Sequence, residues 1–212
     1  MEGRSPQDDK TIWTIGHSNH PLEEFLNLLQ KHRLEVLVDV RSSPYSAYAS
    51  DFNKEAIEAP LRARGIRYLF LGDLVGGRAE GEQFYDPQGR VLYDRLAESA
   101  GFRQGIQRLL GGIENYRVVL MCGEEDPTDC HRRLLIGRVL RGHGVRVLHV
   151  RGDGQVQTED QVAAADWFRK TKGQKSLFDT EDPDEWKSIQ SVSPRKPRES
   201  SSTSCEGPES SD

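Results

Sequence analysis

Apolar and polar positions alternate along the chain with two periods, one typical of strands and one typical of helices. The apolar run at 11–16 predicts a strand, and Leu22, Phe25, Leu26 and Leu29 recur at helical spacing after it. The same pattern predicts further strands at 36–40, 66–71, 117–122 and 145–150, and further helices at about 53–64, 106–113, 132–140 and 158–169. Strands and helices that alternate in this way predict an α/β domain with a mostly parallel sheet flanked by helices.

The alternating pattern ends near residue 171. Residues 172–212 hold ten serines and nine acidic residues but only six hydrophobic ones. A segment of that composition buries too little apolar surface to offset the entropy lost on ordering, so we predict a disordered tail rich in serine and acidic residues. The polar stretch at 1–10 is predicted to be a flexible N-terminus. A single α/β domain is therefore expected at 11–171.

Charge and cysteine content narrow the function classes. The 29 Lys and Arg residues face 34 acidic residues, and the net charge of −5 excludes a protein that coats nucleic acid through bulk positive charge, although it permits a local basic site. No apolar run approaches the roughly 18 residues of a membrane span, and no signal peptide is evident, so we expect a cytoplasmic protein without a membrane partner. Three cysteines are too few for a disulfide framework and are interpreted as thiols or metal ligands.

Polar residues that directly follow strands are the first candidates for a site, because ligands of parallel α/β sheets bind beyond the carboxyl ends of the strands. The candidates are His17 and Ser18 after the first strand, Asp39 and Arg41 at the second, Arg78 in the glycine-rich loop after the third, and Cys122 and Glu124 at the fourth. We expect them to share one crevice, in which Ser18, Asp39, Arg41 and Arg78 bind substrate or an anion. Asp39 and Arg41 are equally compatible with a structural ion pair.

The segment at 121–133, MCGEEDPTDCHRR, holds the densest chemistry. Asp129 is predicted to be the N-cap of the next helix, which places Cys130 in the first helical turn. The helix dipole and Arg132 then favour the thiolate of Cys130, and Arg132 is also a candidate anion holder. Cys130 is therefore the predicted nucleophile or redox thiol. The proton carrier is His131 or His17, and Glu124 is a further acid or base.

The role of the second cysteine is left open by the sequence. Cys122 ends a buried strand, which makes it a resolving partner for Cys130, a structural neighbour or a metal ligand. A metal site would take Cys122, Cys130, His131 and His17 as ligands. However, seven residues separate the two cysteines, where a zinc knuckle has two to four, and no CxxC motif is present. We therefore predict no metal, and the sequence identifies no cofactor.

Several motifs together resemble a known family. The runs TIGHSNH, VDVRSSPYS, FNKE, LVGGR and MCGEEDPTDCHRR occur in the order found in the bacterial and archaeal family of the domain of unknown function 488 (DUF488). The resemblance spans roughly residues 11–152. It implies an α/β fold but no established reaction. By position it implies a shared site at His17, Ser18, Asp39, Arg41, Cys122, Glu124, Cys130, His131 and Arg132.

A second motif lies just past the predicted domain, at 174–178 (QKSLF). It resembles the pentapeptide by which bacterial proteins bind the sliding clamp. Gln174 is first, Leu177 and Phe178 are the apolar anchors, and Lys175 stands where leucine is usual. A segment without a folded core delivers such anchors into an apolar groove, so the sliding clamp is a predicted partner.

These observations lead to two hypotheses from different classes. The first is a thiol-dependent enzyme that acts on a nucleotide or a nucleic-acid component in DNA maintenance and is recruited through its tail. The alternative is a noncatalytic adaptor that binds nucleic acid and the clamp, with structural or metal-binding cysteines.

Overall fold

The computed structural model describes residues 10–171 and 186–194. The strands in this part of the chain are β1 (Thr11–Gly16), β2 (Val36–Asp39), β3 (Arg67–Phe70), β4 (Arg90–Leu92), β5 (Val118–Cys122), β6 (Arg146–Val150), β7 (Val156–Thr158) and β8 (Lys187–Ser191). The α-helices are α1 (Leu22–Lys31), α2 (Lys54–Ala63), α3 (Gly72–Val75), α4 (Tyr93–Glu98), α5 (Ala100–Asn115), α6 (Arg138–Gly142) and α7 (Glu159–Thr171). A π-helical stretch, Arg132–Gly137, runs directly into α6.

Six strands form the main sheet in the order β3-β2-β5-β1-β6-β7. All neighbours pair in parallel except β7, which is antiparallel to β6. Every residue of β5 is buried, because helices cover both faces of the sheet. One face packs against α1 and α2, and the other packs against α5, α6 and the π-helical stretch. The predicted α/β fold with a mostly parallel sheet is confirmed.

Part of the predicted tail joins the body. Strand β8 pairs with β4 in a second, two-stranded antiparallel sheet. Trp186 anchors this segment: its Nε1 donates to the carbonyl of Leu134 at 2.7 Å, and the guanidinium of Arg138 lies 4.5 Å from its ring centroid. Disorder is therefore wrong for 186–194, because a composition averaged over the whole tail hides one short segment with an aromatic anchor. Residues 172–185 and 195–212 lie outside the described residues.

None of the helices in the described ranges is long and apolar enough to cross a membrane.

A buried histidine links the sheet to α7. His149 on β6 is 1% exposed; its Nδ1 lies 2.8 Å from the hydroxyl of Thr14, and its Nε2 lies 3.0 Å from a carboxylate oxygen of Glu159. Glu159 also accepts a hydrogen bond of 2.8 Å from Arg133. Burial is the largest influence on His149 and lowers its pKa, a direction that the positive charges of Arg132 and Arg133 reinforce and Glu159 opposes.

We expect this histidine to make folding stability fall on mild acidification. Because the pKa of His149 in the folded state lies below its ordinary value of 6.5, the unfolded chain binds a proton there more readily than the folded chain. Stability is therefore lost as the pH falls through 6.5 towards the folded pKa. His149→Gln removes this contribution. Urea unfolding between about pH 7 and pH 5 should show a shallower pH dependence for the variant, whereas equal slopes would contradict the assignment.

Candidate active site

The polar candidates meet where three strands end side by side. Gly16 at the end of β1 pairs with Cys122 at the end of β5, and Asp39 at the end of β2 pairs with Met121. A cavity of about 780 Å³ opens beyond these strand ends. Its lining includes His17, Arg41, Tyr45, Arg78, Cys122, Glu124 and His131 from the α/β body, and Ser188 and Gln190 from β8. The predicted crevice is present, and most of the predicted residues line it.

Two thiols, an imidazole and a carboxylate form the centre of the site, and we call Cys122, Cys130, His131 and Glu124 the cysteine cluster. The Sγ atoms of Cys122 and Cys130 lie 2.8 and 3.2 Å from Oε2 of Glu124. Nδ1 of His131 lies 3.7 Å from Sγ of Cys122 and 3.9 Å from Sγ of Cys130. On the other side of its ring, Nε2 of His131 donates to the carbonyl of Val40 at 2.9 Å. This bond fixes the ring with Nδ1 directed at both sulfurs.

The surroundings of the cysteine cluster shift the pKa values of its two thiols in opposite directions. Burial on its own raises the pKa of Cys130, but a hydrogen bond from Cys122 and the positive charges of Arg132 and His131 bring that pKa well below its ordinary value. The pKa of Cys122 is raised, first by its hydrogen bond to Cys130 and then by burial. Burial lowers the pKa of His131, and Cys130 and Glu124 more than reverse this, so the net shift is upward. Cys130 is therefore the more acidic thiol.

The local structure that surrounds Cys130 differs from the prediction. Asp126, rather than Asp129, caps a 3-10 turn at Pro127–Asp129 by accepting from the backbone N–H of Thr128 at 2.9 Å. Cys130 follows that turn in an extended conformation, and its carbonyl accepts the first two hydrogen bonds of the next helix, from Arg133 and Leu134. Cys130 thus stands at the cap of the helix and not in its first turn.

Asp39 and Arg41 form a buried ion pair beneath the cavity. Asp39 is fully buried; it accepts from Nε and Nη2 of Arg41 at 2.9 and 2.6 Å and from the hydroxyl of Tyr68 at 2.8 Å. Nη2 of Arg41 also donates to the carbonyl of Phe52 at 2.7 Å. Asp39 does not line the cavity, and most donors of Arg41 are used within the protein. The geometry therefore supports the ion-pair interpretation of these two residues.

His17 lies on the cavity wall as a neutral base. Its Nδ1 hydrogen-bonds the carbonyl of Ser18 at 3.0 Å, its Nε2 lies 3.3 Å from Nη1 of Arg41, and its ring stacks on Phe52. Burial is the main cause of a lowered pKa for His17. Nε2 of His17 faces Arg41. The four-ligand metal site that would combine His17 with the two cysteines and His131 is therefore not formed. Ser18 lies outside the cavity lining.

Arg132 and Arg78, the other two arginines predicted to bind an anion, differ in their exposure. Arg132 is buried and donates to the backbone carbonyls of Glu124 and Glu125, so it holds the acidic loop in place and does not reach a ligand. Arg78 is exposed at the cavity mouth, and its guanidinium makes no hydrogen bond or ion pair with any residue that the structure describes. Arg78 is therefore the available cation of the site.

One wall of the cavity was not expected from the sequence. Ser188, Ile189 and Gln190 of β8 line it, although their segment was predicted to be disordered. Trp186, Ile189 and Val192 are three residues apart, so the segment lacks the period-two alternation that indicates a strand. Tyr45 was not expected either, since its loop has no periodic pattern. Gln174, Leu177 and Phe178, the predicted partner-binding residues, lie outside the described residues.

Comparison with known proteins supports the sequence resemblance. A sequence model of the family described as "Domain of unknown function DUF488" matches residues 21–139, which is more than half of the chain. No curated protein and no solved structure matches the chain.

Proposed function

We propose that this chain, which belongs to the DUF488 family, is a cysteine-dependent enzyme that acts on a nucleotide or a nucleic-acid component. One observation carries the proposal: a thiol, an imidazole and a carboxylate line a cavity that has an available cation at its mouth, and a second, buried thiol lies 3.2 Å from that carboxylate. Buried sulfur, a directed imidazole and a carboxylate supply a reactive centre and its proton carriers. His131 is the proton carrier in contact with both sulfurs, and Glu124 is the acid or base beside it.

The shape and rim of the cavity support a nucleotide-sized, anionic substrate. A volume of about 780 Å³ falls within the range of small-molecule sites. Arg78 offers a guanidinium to a phosphate at the mouth. Tyr45 lines the cavity and is 54% exposed, so its ring is accessible for stacking with a base; Tyr48 is on the same loop and 100% exposed but outside the cavity lining. Together these groups match the two halves of a nucleotide.

A binding experiment tests the substrate class. Nucleoside mono-, di- and triphosphates, modified nucleotides and short oligonucleotides are titrated against the full chain while its thermal unfolding is followed, because a ligand of the native state raises the apparent stability. We expect at least one of these classes to raise the melting temperature. Arg78→Gln should weaken the binding of that ligand by about 10- to 100-fold, since a hydrogen bond to a charged group contributes roughly 1.5–3 kcal/mol.

Arg108→Gln is the matched control, because Arg108 is also exposed but lies on α5 outside the cavity lining. It should leave binding unchanged. A screen in which no nucleotide or oligonucleotide shifts the melting temperature, or in which Arg78→Gln binds as tightly as the unaltered chain, would overturn the substrate class.

The cellular setting belongs to the same proposal. We place the enzyme in the cytoplasm, where thiols stay reduced, and at sites of DNA maintenance, through the pentapeptide at 174–178. The support for this recruitment is the match of Gln174, Leu177 and Phe178 to the clamp-binding pattern. Direct binding of that segment to the purified clamp is the corresponding test.

One observation favours the noncatalytic adaptor: Cys130 is 1% exposed and does not line the cavity. Product analysis separates the two functions. The ligand that gives the largest thermal shift is incubated with the unaltered chain and with Cys122→Ser, and the mixtures are analysed by mass spectrometry. An enzyme converts the ligand only when Cys122 is present, whereas an adaptor binds the ligand and leaves it unchanged in both samples.

A further inference from the structure

Three atoms of the cysteine cluster form a compact triangle of metal donors. Sγ of Cys122, Sγ of Cys130 and a ring nitrogen of His131 all lie within 4.8 Å of one another. The cysteines are free, with no disulfide between them. The geometry points to a binding site for one divalent ion of the zinc class, held by Cys122, Cys130 and Nδ1 of His131. The inference deepens the proposed function and rests on it only for the chemistry that the ion would supply.

The spacing of the donors suits that class of ion. Zinc bonds of about 2.3 Å to sulfur and 2.0–2.1 Å to nitrogen, at tetrahedral angles, separate sulfur from nitrogen by about 3.6 Å. The two such distances in the cluster are 3.7 and 3.9 Å. Both sulfur–nitrogen distances therefore lie within a few tenths of an ångström of the required spacing, and the two sulfurs are no more than 4.8 Å apart. Two soft sulfurs and an imidazole exclude magnesium and calcium, which prefer oxygen donors.

The donors are held in place by the surrounding structure. His131 donates its Nε2 proton to the carbonyl of Val40 at 2.9 Å, which leaves the lone pair of Nδ1 for the ion. Histidine ligands of metals are oriented by this kind of outer hydrogen bond to a backbone carbonyl. Cys122 is fixed by its strand, and Arg132 holds the loop between the two cysteines by binding the carbonyls of Glu124 and Glu125. The long spacing between the cysteines is therefore compatible with a rigid site.

The charge and the proton balance of the site are also consistent with a bound divalent ion. The two cysteines are 3% and 1% exposed, and two thiolates neutralise a divalent ion, so the bound site places no net charge in the protein interior. Binding forms two metal–sulfur bonds and releases two protons, one from Cys122 and one from the Cys130–His131 pair, where it is held on Sγ or on Nδ1. Oε2 of Glu124 lies within hydrogen-bonding distance of both thiols and is the acceptor through which those protons leave. No change of oxidation state is involved.

Three protein ligands leave one coordination position. Cys122, His131 and Glu124 line the cavity, so this position faces the space that we assign to the substrate. Zinc sites with three protein ligands and one position for water or substrate are typical of catalysis, whereas structural sites use four protein ligands. A bound ion would polarise an oxygen of the substrate or a water molecule, and Glu124 would be the neighbouring base. Cys130 is then a ligand rather than a nucleophile.

Metal analysis of the full chain tests the site. The chain is purified without chelator or added metal, and its zinc is measured by mass spectrometry. We expect one zinc per chain. Loss of a hydrogen bond to a metal ligand lowers metal affinity by roughly 10- to 100-fold, so loss of a ligand itself, in Cys122→Ser or Cys130→Ser, should lower the affinity for zinc by more than that. Cys205→Ser is the matched control, because it makes the same change at the third cysteine, which is not one of the three donors; it should keep its zinc.

Cobalt replacement and thiol labelling provide readouts that do not depend on how well the variants fold. Cobalt(II) added to the chelated, unaltered chain should give the charge-transfer absorption of thiolate ligands, and zinc should displace it. Alkylation of Cys122 and Cys130 should become faster after chelation, while that of Cys205 stays constant. A chain that binds neither zinc nor cobalt while both thiols are alkylated freely would overturn the site. A disulfide between Cys122 and Cys130 in the purified chain, or an unchanged zinc content in both serine variants, would also overturn it.

The same samples separate this inference from the proposed function. Nucleotide binding that persists in a chain unable to hold metal overturns the metal site alone. Zinc bound by Cys122, Cys130 and His131 in a chain that binds no nucleotide or oligonucleotide overturns the substrate class alone.

Discussion

Gly16→Ala is expected to destabilise the protein strongly and to disrupt the site at the same time. An ideal Cβ at Gly16 would lie 1.8 Å from the carbonyl oxygen of Glu124 and 2.7 Å from Cα of Glu125. Both atoms belong to the backbone, so no side-chain rotation relieves the contact. Overpacking costs about 1–3 kcal/mol even where side chains can adjust, and we expect at least about 3 kcal/mol for this change.

The disruption reaches the cysteine cluster because Gly16 lies beside Cys122 in the sheet. The backbone N–H groups of His17 and Ser18 donate to the carbonyls of Cys122 and Gly123, both at 2.9 Å, and these bonds fail if the loop moves away. Urea unfolding should show the loss of stability, and zinc content and nucleotide binding should fall with it.

Gly142→Ala is the control for this change. No atom of the described residues lies within 4 Å of the position that a Cβ would take at Gly142, so the substitution should stabilise the chain by about 0.4–1 kcal/mol. Equal unfolding midpoints for Gly16→Ala and the unaltered chain would contradict this account.

The backbone contact at Gly16 explains why the family motif TIGHSNH includes a glycine. Gly72, which follows β3, has the same constraint, since its Cβ would lie 1.7 Å from the carbonyl oxygen of Arg41. In both places the end of one strand touches the backbone of the loop that follows a neighbouring strand. Close backbone contact of this kind sets the position of Glu124 and Arg41 without any side chain. A sequence reveals the glycine but not the atom that it approaches.

The fold was predictable where apolar periodicity was clear. The runs that became β1, β2, β5 and β6 are buried on both faces, and the Leu22 helix begins and ends close to where the pattern placed it. Strand order was not predictable, because burial on both faces says nothing about which neighbour a strand has. β8 was missed for a different reason: its stability depends on Trp186 packing against Tyr93 and Arg138, which are distant in sequence.

The site was predictable as a location but not as a set of roles. Residues that follow parallel strands did meet, as the geometry of such sheets requires. The sequence could not show that Arg132 binds the carbonyls of its own loop or that most donors of Arg41 are used within the protein. Nor could it show that Asp129, the predicted cap, does not begin the helix, since aspartate suits that position. Asp126 caps a separate 3-10 turn that includes Asp129, and the helix starts past Cys130.

Changing Leu177 and Phe178 together to alanine is expected to remove nearly all affinity for the bacterial sliding clamp. The segment at 174–178 would bind as a short linear motif without help from the folded body. Leu177 and Phe178 would enter an apolar groove, Gln174 would add hydrogen bonds, and the acidic stretch at 179–185 would stay outside. A few anchors dominate such small interfaces. Losing two anchors at about 2 kcal/mol each weakens binding by about a thousandfold.

Fluorescence anisotropy with a labelled peptide of residues 170–187 and purified clamp measures this effect. Lys175→Ala in the same peptide is the matched control; it should change affinity little, because position two of the motif is not an anchor. The full chain should compete with the labelled peptide at a similar concentration if the body does not contribute. A peptide that does not bind at high micromolar clamp, or a double-alanine peptide that binds as well as the original, would remove the support for recruitment to DNA. The cysteine cluster and its cavity would then have to be explained without a role at replicating or repaired DNA.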